Sequence, residues 1–318
     1  MVLIGNGEVR GKRVAENVVA YLGIPYAAPP FGPRRFAAPQ PPAKWTGPRD
    51  CTAFGLIAPQ SAEIEGMPRW RPGDEDVLTL NVWAPDDARF APVLFWVHGG
   101  ANTFGSSAQV DFDGTALAQA GLVVVTCNYR LGFEGFGHVD GFPDNRGLLD
   151  IAYAMVWVWD EIAGFGGDPC NVTAAGQSSG ASAVAWLSTT GLFQRAILHS
   201  PPDLYFTPEK AKELAAHVPL VDPAEALDRI DEFYQPVLTA SPLSAVPDDL
   251  PLLLCHTANE EPMFREPVQQ LAKRHPNAHE ITFDIPPARH NDEIPYAFGH
   301  REDKTLMTTW VRFANGLA

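Results

Sequence analysis

The sequence predicts an α/β fold in which helices flank a mostly parallel sheet. Short apolar runs bounded by turn residues alternate with stretches of helical period, an order typical of β–α–β units. Of the 318 residues, 46% are apolar and 19% are charged, so the chain can bury a large core. We expect a single domain over residues 1–318, since neither a repeat nor a long linker divides the chain.

The predicted strands are apolar runs that end in glycine or polar residues. They are "TLNVWAP" (79–85), "PVLFWVHGG" (92–100), "AGLVVVTCNYR" (120–130), "RAILHS" (195–200), "LPLLLCHT" (250–257) and "HEITFDI" (279–285). A long helix is predicted over residues 148–166, where apolar residues recur with helical period and Gly164 suits a C-terminal cap. Residues 172–187 indicate a strand, a tight turn and a second helix.

The net charge of -15, from 38 acidic and 23 basic residues, argues against nucleic acid or an anionic membrane as a partner. No apolar run reaches the length of a membrane span, and the first residues lack the pattern of a secretory signal. The four cysteines are scattered, without the spacing of a metal site. Free thiols are typical of a reducing compartment, so we expect a cytoplasmic protein without a metal.

The turn at residues 176–180, Gly-Gln-Ser-Ser-Gly, has the Gly-x-Ser-x-Gly pattern of an activated serine. Taken alone, the pentapeptide also fits an ordinary turn of small residues. The predicted strand before it and helix after it favour the first interpretation. In that setting the Ser178 hydroxyl projects above the sheet at a helix N-terminus, where a nucleophile can act.

A glycine-rich segment, "HGGANTFGS" (98–106), follows one of the predicted buried strands. Its backbone can approach a ligand closely, and the N–H groups of Gly100 and Ala101 can point at a developing oxyanion. The N–H of Ser179, beside the predicted nucleophile, is the third candidate donor. By itself the segment also fits an ordinary glycine turn.

The base and the acid are expected in loops after the last two strands. His290 follows the final predicted strand, and His300 is the alternative base. Glu260 and Glu261 follow the preceding strand, and either carboxylate can orient the histidine. Two further carboxylates remain candidates for the acid: Asp284 and Asp292.

Several segments, in order along the chain, resemble the type-B carboxylesterases, the family that includes bacterial carboxylesterases and cholinesterases. They are "VAYLGIPYAAPPFGPRRFAAPQPPAKWTG" (19–47), "DEDVLTLNVWAP" (74–85), "FWVHGGANTFGS" (95–106), "NYRLGFEGFG" (128–137), "FGGDPCNVTAAGQSSGAS" (165–182) and "HNDEIPYAFG" (290–299). The resemblance implies an α/β-hydrolase fold. It also implies a serine carboxylesterase that acts on a small-molecule ester without a cofactor.

The resemblance assigns roles residue by residue. Ser178 matches the nucleophile and His290 the base, and Glu260 rather than Glu261 matches the acid when the phenylalanines of the two segments are superposed. The three matches to the family's oxyanion donors are Gly100, Ala101 and Ser179. Apart from the resemblance, Phe104 and Phe133 lie in or near the loops of the expected site, and with Asn102 they are expected in the substrate pocket. A structural ion pair is implied between Glu75 and Arg130.

The chain also departs from the family. Gln177 stands where the family usually has glutamate. The intervals 200–250 and 260–290 are much shorter than usual, and they normally hold helices that cover the site. We therefore expect a reduced cap, a shallower and wetter site, and an exposed edge through which a homodimer can form.

Two alternatives to an esterase stay open. The same acyl-enzyme serves a tailoring acyltransferase, lactonase or cyclase that acts on a larger natural product. The family also contains adhesion-type members without a triad, so a non-catalytic binding protein is the second alternative. Reaction of Ser178 with an organophosphate argues against the second.

Overall fold

A computed structural model describes residues 1–216, 222–223 and 234–317. Its strands are β1 Val2–Ile4, β2 Gly7–Arg10, β3 Lys12–Ala15, β4 Val18–Pro25, β5 Pro48–Asp50, β6 Thr79–Pro85, β7 Ala91–Val97, β8 Val123–Cys127, β9 Gly167–Gln177, β10 Arg195–His199, β11 Leu252–Thr257 and β12 Ala278–Phe283. Its α-helices are α1 Thr115–Gln119, α2 Gly132–Phe136, α3 Arg146–Glu161, α4 Ser179–Leu187, α5 Pro208–Ala215, α6 Pro262–Arg274, α7 Ile294–Ala297 and α8 Thr305–Ala314.

The main sheet has nine strands in the order β12-β11-β10-β9-β7-β8-β6-β4-β3. The strands from β12 to β8 in this order run parallel to one another. The remaining three, β6, β4 and β3, pair antiparallel. The predicted mostly parallel sheet is therefore confirmed, and a separate small sheet has the order β1-β2-β5.

The central strands bury both faces of the sheet. In β7, Val93, Phe95 and Val97 belong to the apolar core on one face, whereas Leu94 and Trp96 belong to the core on the other. Because successive side chains of a strand point to opposite faces, a continuous apolar run is what a strand between two helical layers requires. This explains why the central strands could be predicted from composition.

The predicted long helix ends earlier than expected. It spans Arg146–Glu161 and continues as a single 3₁₀ turn over Ile162–Phe165. The residue that ends the turn in a left-handed conformation is Gly166, with φ of 83°, and not Gly164. A Cβ at Gly166 would also lie 2.5 Å from the carbonyl oxygen of Ala88, so the position requires glycine for two reasons.

Arg130 forms a buried ion pair, but not with the expected Glu75. Its guanidinium Nε and Nη2 donate to the two carboxylate oxygens of Asp150, at 2.8 and 2.7 Å. Asp150 also accepts from the backbone N–H of Arg130, at 3.0 Å. The partner was missed because Asp150 lies inside α3, and only the packing of that helix against the loop after β8 brings the two side chains together.

The loops that follow β7, β9, β10, β11 and β12 all lie at the carboxyl edge of the parallel strands. In an open α/β sheet this edge is where ligands bind. The glycine-rich segment, the Ser178 turn and the loops that carry Glu260 and His290 therefore meet at one edge. In the part of the chain that the structure describes, no helix combines the length and apolarity needed to span a membrane.

Candidate active site

The turn at Ser178 joins the end of β9 to the start of α4. Ser178 has φ of 53° and ψ of −128°, a left-handed backbone that costs a residue other than glycine about 1–3 kcal/mol. Its neighbours hold this conformation, since its N–H donates to the carbonyl of His199 at 2.8 Å and its carbonyl accepts from the N–H of Ser182 at 3.1 Å. The predicted strand, tight turn and helix are thus present.

Glycines on both sides of Ser178 let the turn pack against neighbouring backbone. A Cβ at Gly180 would lie 2.3 Å from the carbonyl oxygen of Val97 and 2.5 Å from that of His98. A Cβ at Gly176 would lie 2.6 Å from the carbonyl carbon of Gly180. Gly180 is therefore needed for contact between the turn and the end of β7, and Gly176 for contact with the backbone of Gly180. The pattern of the pentapeptide thus has a steric cause.

Gly180→Ala is expected to lower the free energy of unfolding by about 3 kcal/mol, because the added methyl group meets backbone atoms that cannot rotate away. Urea unfolding measures this change. The matched control is Gly164→Ala, where the nearest atom to the added Cβ is a side-chain methyl of Val2 at 3.1 Å. Equal stability of the two variants would contradict the steric argument.

His290 lies in the loop between β12 and α7, beside Glu260. Its Nδ1 is 3.1 Å from Oε2 of Glu260, and its ring stacks on Phe264 with 3.8 Å between ring centroids. The histidine side chain is 19% exposed, while the carboxylate is fully buried. Two independent contacts, one with Glu260 and one with Phe264, therefore fix the imidazole plane.

Glu260 is held by groups other than the histidine. Its Oε1 accepts from the hydroxyl of Ser200 at 3.1 Å and from the backbone N–H of Thr257 at 3.2 Å. These two hydrogen bonds fix the position of the carboxylate beside the histidine. Glu261, the alternative acid, is exposed and stands at the N-terminus of α6.

The other candidates lie away from this contact. His300 is exposed and stacks near Phe298, with 6.4 Å between ring centroids. Asp292 accepts from the backbone N–H of Arg289 at 2.7 Å, and Asp284 is exposed beyond the end of β12.

The glycine-rich segment presents backbone N–H groups to the cavity. Gly100, Ala101 and Asn102 all have left-handed φ values, 113°, 51° and 62°. Among the hydrogen bonds of residues 1–216, 222–223 and 234–317, none has the N–H of Gly100, Ala101 or Ser179 as donor. These three N–H groups are therefore available to an incoming acceptor.

Side chains outside the sequence motifs brace this segment. The carboxamide of Gln60 donates to the carbonyl of Gly105 and accepts from its N–H, both at 2.9 Å. The N–H of Asn102 donates to the hydroxyl of Ser179 at 3.3 Å, which ties the segment to the Ser178 turn. Gln60 was missed because nothing in its local sequence marks a residue that acts forty-five positions away.

His98 begins the segment and is buried beneath it. Its ring stacks on Tyr129 with 4.5 Å between centroids, and its Nδ1 lies 2.8 Å from the carbonyl oxygen of Gly99. Burial lowers the pKa of His98 to about 4. The imidazole is therefore neutral at physiological pH and acts as a packing group rather than as a base.

The low pKa of His98 makes the stability of the protein depend on pH. Between about pH 6.5 and 4 the unfolded chain binds a proton at this residue and the folded chain does not. The free energy of unfolding is therefore expected to fall with decreasing pH, by about 3 kcal/mol from this group. His98→Gln should flatten the slope over this range relative to His279→Gln, a change at an exposed position. An unchanged slope in His98→Gln would contradict this assignment.

A cavity of about 290 Å³ connects these groups. Ser178, His290, Gly100 and Ala101 line it, together with the expected pocket residue Phe104. Further lining residues that the sequence did not indicate are Gln109, Asp111, Phe112, Phe264, Asn291 and Ile294. Most are aromatic, apolar or neutral, which suits a neutral organic ligand.

Asn102 and Phe133, also expected in the pocket, are placed elsewhere. The carboxamide of Asn102 donates to the carbonyl of Tyr234 at 3.1 Å, so the side chain points away from the cavity. Phe133 is buried and packs edge-to-face on Phe36, with 5.8 Å between ring centroids. Both residues support the surrounding loops, Asn102 through its hydrogen bond and Phe133 through its ring contact.

Gln177 makes a contact that the motif does not suggest. Its carboxamide Nε2 is 2.9 Å from Nε2 of His290, the nitrogen that a serine nucleophile needs. The hydroxyl of Ser178 has no hydrogen-bond partner within the described part of the chain. The structure therefore brings Glu260 and His290, the candidate acid and base, together. It also places Gln177, the residue before the candidate nucleophile, against the base.

The fold and this arrangement at the carboxyl edge of the sheet define the class: the chain is an α/β-hydrolase. The sequence model described as the carboxylesterase family matches residues 1–218. The chain therefore belongs to the carboxylesterase family, and the resemblance seen in the sequence is confirmed.

Two relatives of this chain have names that describe them as esterases. A para-nitrobenzyl esterase of Bacillus subtilis (strain 168) is 43% identical over 226 residues, which are 66% of this chain and 45% of the relative. A fumonisin B1 esterase of Sphingopyxis macrogoltabida is 43% identical over 62% of this chain and 38% of the relative. The chain thus matches less than half the length of these curated relatives.

The same likeness extends to three dimensions. The solved structure of a PNB esterase superposes with a TM-score of 0.88 at 30% sequence identity. The superposition covers 99% of this chain and 90% of the solved chain. The likeness in structure therefore extends beyond the part of the chain that the family model matches.

Proposed function

We propose that this chain is a serine carboxylesterase in which Ser178 forms the acyl-enzyme. The observation that carries the proposal is the contact between the buried Glu260 carboxylate and Nδ1 of His290, at 3.1 Å, beside a strained serine in the same cavity. The named esterases among the relatives support this reaction class.

Acylation begins when the Ser178 hydroxyl attacks the ester carbonyl. Nε2 of His290 takes the hydroxyl proton, while Glu260 accepts a hydrogen bond from Nδ1–H and stabilises the imidazolium. The negative charge on the carbonyl oxygen develops next to three backbone N–H groups: Gly100, Ala101 and Ser179. These donors are fixed before the reaction, so they stabilise the charge without reorganising.

The attack of Ser178 forms a tetrahedral intermediate. Its collapse releases the alcohol, which leaves with the proton from His290. Water then attacks the acyl-enzyme by the same route, with His290 as the base, and the acid product leaves Ser178 free. Every proton in the cycle passes through one nitrogen atom, Nε2 of His290. Access to that atom therefore limits both half-reactions.

The cavity supports small ester substrates. Its volume of about 290 Å³ lies at the lower end of the range for small-molecule sites, and Phe104, Phe112 and Phe264 supply apolar walls. The short interval of thirty residues between Glu260 and His290 supports the expected reduced cap. We propose a preference for short acyl chains, since the cavity offers little room for longer ones.

Labelling by diethyl p-nitrophenyl phosphate, followed by mass spectrometry of the peptides, tests the proposal. One diethylphosphoryl group on Ser178 and turnover of p-nitrophenyl acetate faster than of the octanoate are expected. A folded protein without label would favour the non-catalytic binding protein. Labelling without ester turnover in water would favour the acyltransferase, lactonase or cyclase.

We also propose a single domain over residues 1–318, which the continuity of the main sheet from β3 to β12 supports. A cytoplasmic location is proposed because Cys51, Cys127 and Cys255 are buried free thiols, the form that a reducing compartment maintains. Homodimerisation stays a prediction.

A further inference from the structure

Gln177 is the last residue of β9, and its side chain is buried between the glycine-rich segment and His290. It is 5% exposed. Its Nε2 is 2.9 Å from Nε2 of His290, while its Oε1 faces Gly99, where an added Cβ would lie 2.3 Å away. The carboxamide therefore fills the space beside the base. Glycine is required at position 99 because an added Cβ would also lie 2.7 Å from the backbone carbonyl oxygen of Gln177.

The position of the proton on the imidazole determines which group donates in the contact between Gln177 and His290. Glu260 accepts from Nδ1 of His290, so the neutral ring carries its proton on Nδ1. Nε2 then has one lone pair and no proton. The carboxamide N–H of Gln177 donates to that lone pair, and the hydroxyl of Ser178 needs the same lone pair in order to lose its proton.

We propose that Gln177 competes with Ser178 for Nε2 of His290 and holds the esterase in a resting state. This inference rests on the proposed function. Acylation requires that the carboxamide first rotate away, so that the serine hydroxyl can replace it as the donor. Gln177 acts through His290 and does not touch the ester, which makes it a positioning residue with a negative effect on acylation.

The size of the effect follows from one neutral hydrogen bond. Losing one such hydrogen bond changes the ratio of free to occupied Nε2 about five-fold. The rate of acylation is proportional to the fraction of enzyme in which Nε2 is free. Removal of the carboxamide N–H is therefore expected to raise the acylation rate about 3- to 10-fold.

Two substitutions remove the donor in different ways. Gln177→Met keeps the length and volume of the side chain and has no N–H group. Gln177→Glu keeps the shape and places an acceptor where the donor was, so at a pH at which the imidazole is neutral it cannot compete for the lone pair. Gln119→Met, at an exposed position of α1, is the matched control for the glutamine-to-methionine change.

The experiment measures the burst rate constant with p-nitrophenyl acetate at a series of concentrations, for the wild type and the three variants. We expect the maximal burst rate constant to rise in Gln177→Met and Gln177→Glu. The concentration that gives half the maximal rate should stay unchanged, and Gln119→Met should behave as the wild type. A purely structural role of Gln177 would lower the rate or shift the concentration dependence.

The outcomes separate this inference from the proposed function. Labelling of Ser178 in the wild type without a gain in either folded variant at position 177 would overturn the inference and leave the esterase in place. A gain in the variants over an inert wild type would support the inference. Absence of reaction in all four proteins would overturn the proposed function, and the inference with it. Thermal unfolding of each variant establishes that it is folded.

Discussion

Ser178→Ala is expected to lower ester turnover by about 10⁴- to 10⁶-fold and to leave the fold unchanged. The substitution removes the only atom that can form the acyl-enzyme in the proposed reaction. It should not destabilise the protein, because the hydroxyl has no hydrogen-bond partner among the described residues. No buried polar group is therefore left unpaired when it is removed.

Ser182→Ala is the matched control for this variant. Ser182 lies one helical turn further along α4, and its hydroxyl donates to the carbonyl of Pro202 at 2.6 Å. We expect this variant to lose about 1 kcal/mol of unfolding free energy and to retain its turnover. Burst and steady-state assays with p-nitrophenyl acetate, together with urea unfolding, compare the two. Retained burst activity in Ser178→Ala would exclude Ser178 as the nucleophile.

Glu260→Gln is expected to lower kcat/KM by about 10³- to 10⁴-fold, because the substitution changes the tautomer of His290. Oε1 of Glu260 accepts from Ser200 and from the N–H of Thr257, so the carbonyl oxygen of the new carboxamide takes that place. The amide nitrogen then faces Nδ1 of His290 as a donor. The imidazole must carry its proton on Nε2 in response, and it can no longer accept the proton of Ser178.

Glu261→Gln is the control that distinguishes the two adjacent glutamates. Glu261 is exposed, and we expect kcat/KM to stay within about two-fold of the wild type, as for most surface substitutions. Steady-state assays and the rate of labelling by the organophosphate measure both variants. A larger loss in Glu261→Gln than in Glu260→Gln would reassign the acid.

The central strands and the Ser178 turn could be predicted because their signals are local. A strand buried on both faces needs a continuous apolar run, as in Val93–Val97 of β7, and a sharp turn between strand and helix needs small residues on either side. The order of the segments along the chain then placed the candidate acid and base after the correct strands, since parallel strands end at one edge.

The failures concern contacts between segments that are distant in the sequence. Arg130 pairs with Asp150 rather than Glu75, and Gly166 rather than Gly164 ends the turn after α3. Phe133 lies in the structural packing outside the cavity. In each case the deciding factor was how close a helix or loop approaches its neighbour, which composition and period do not encode.

The sequence by itself determined the α/β class, the tight turn at Ser178 and the identity of the family, because each depends on residue type and spacing. Only the tertiary structure decided which nitrogen of His290 is engaged, and by which side chain. Nδ1 lies against Glu260 and Nε2 against Gln177. The reason is physical: hydrogen bonds depend on distances within a few tenths of an ångström, and residues separated by 113 positions acquire such distances only when the chain has folded.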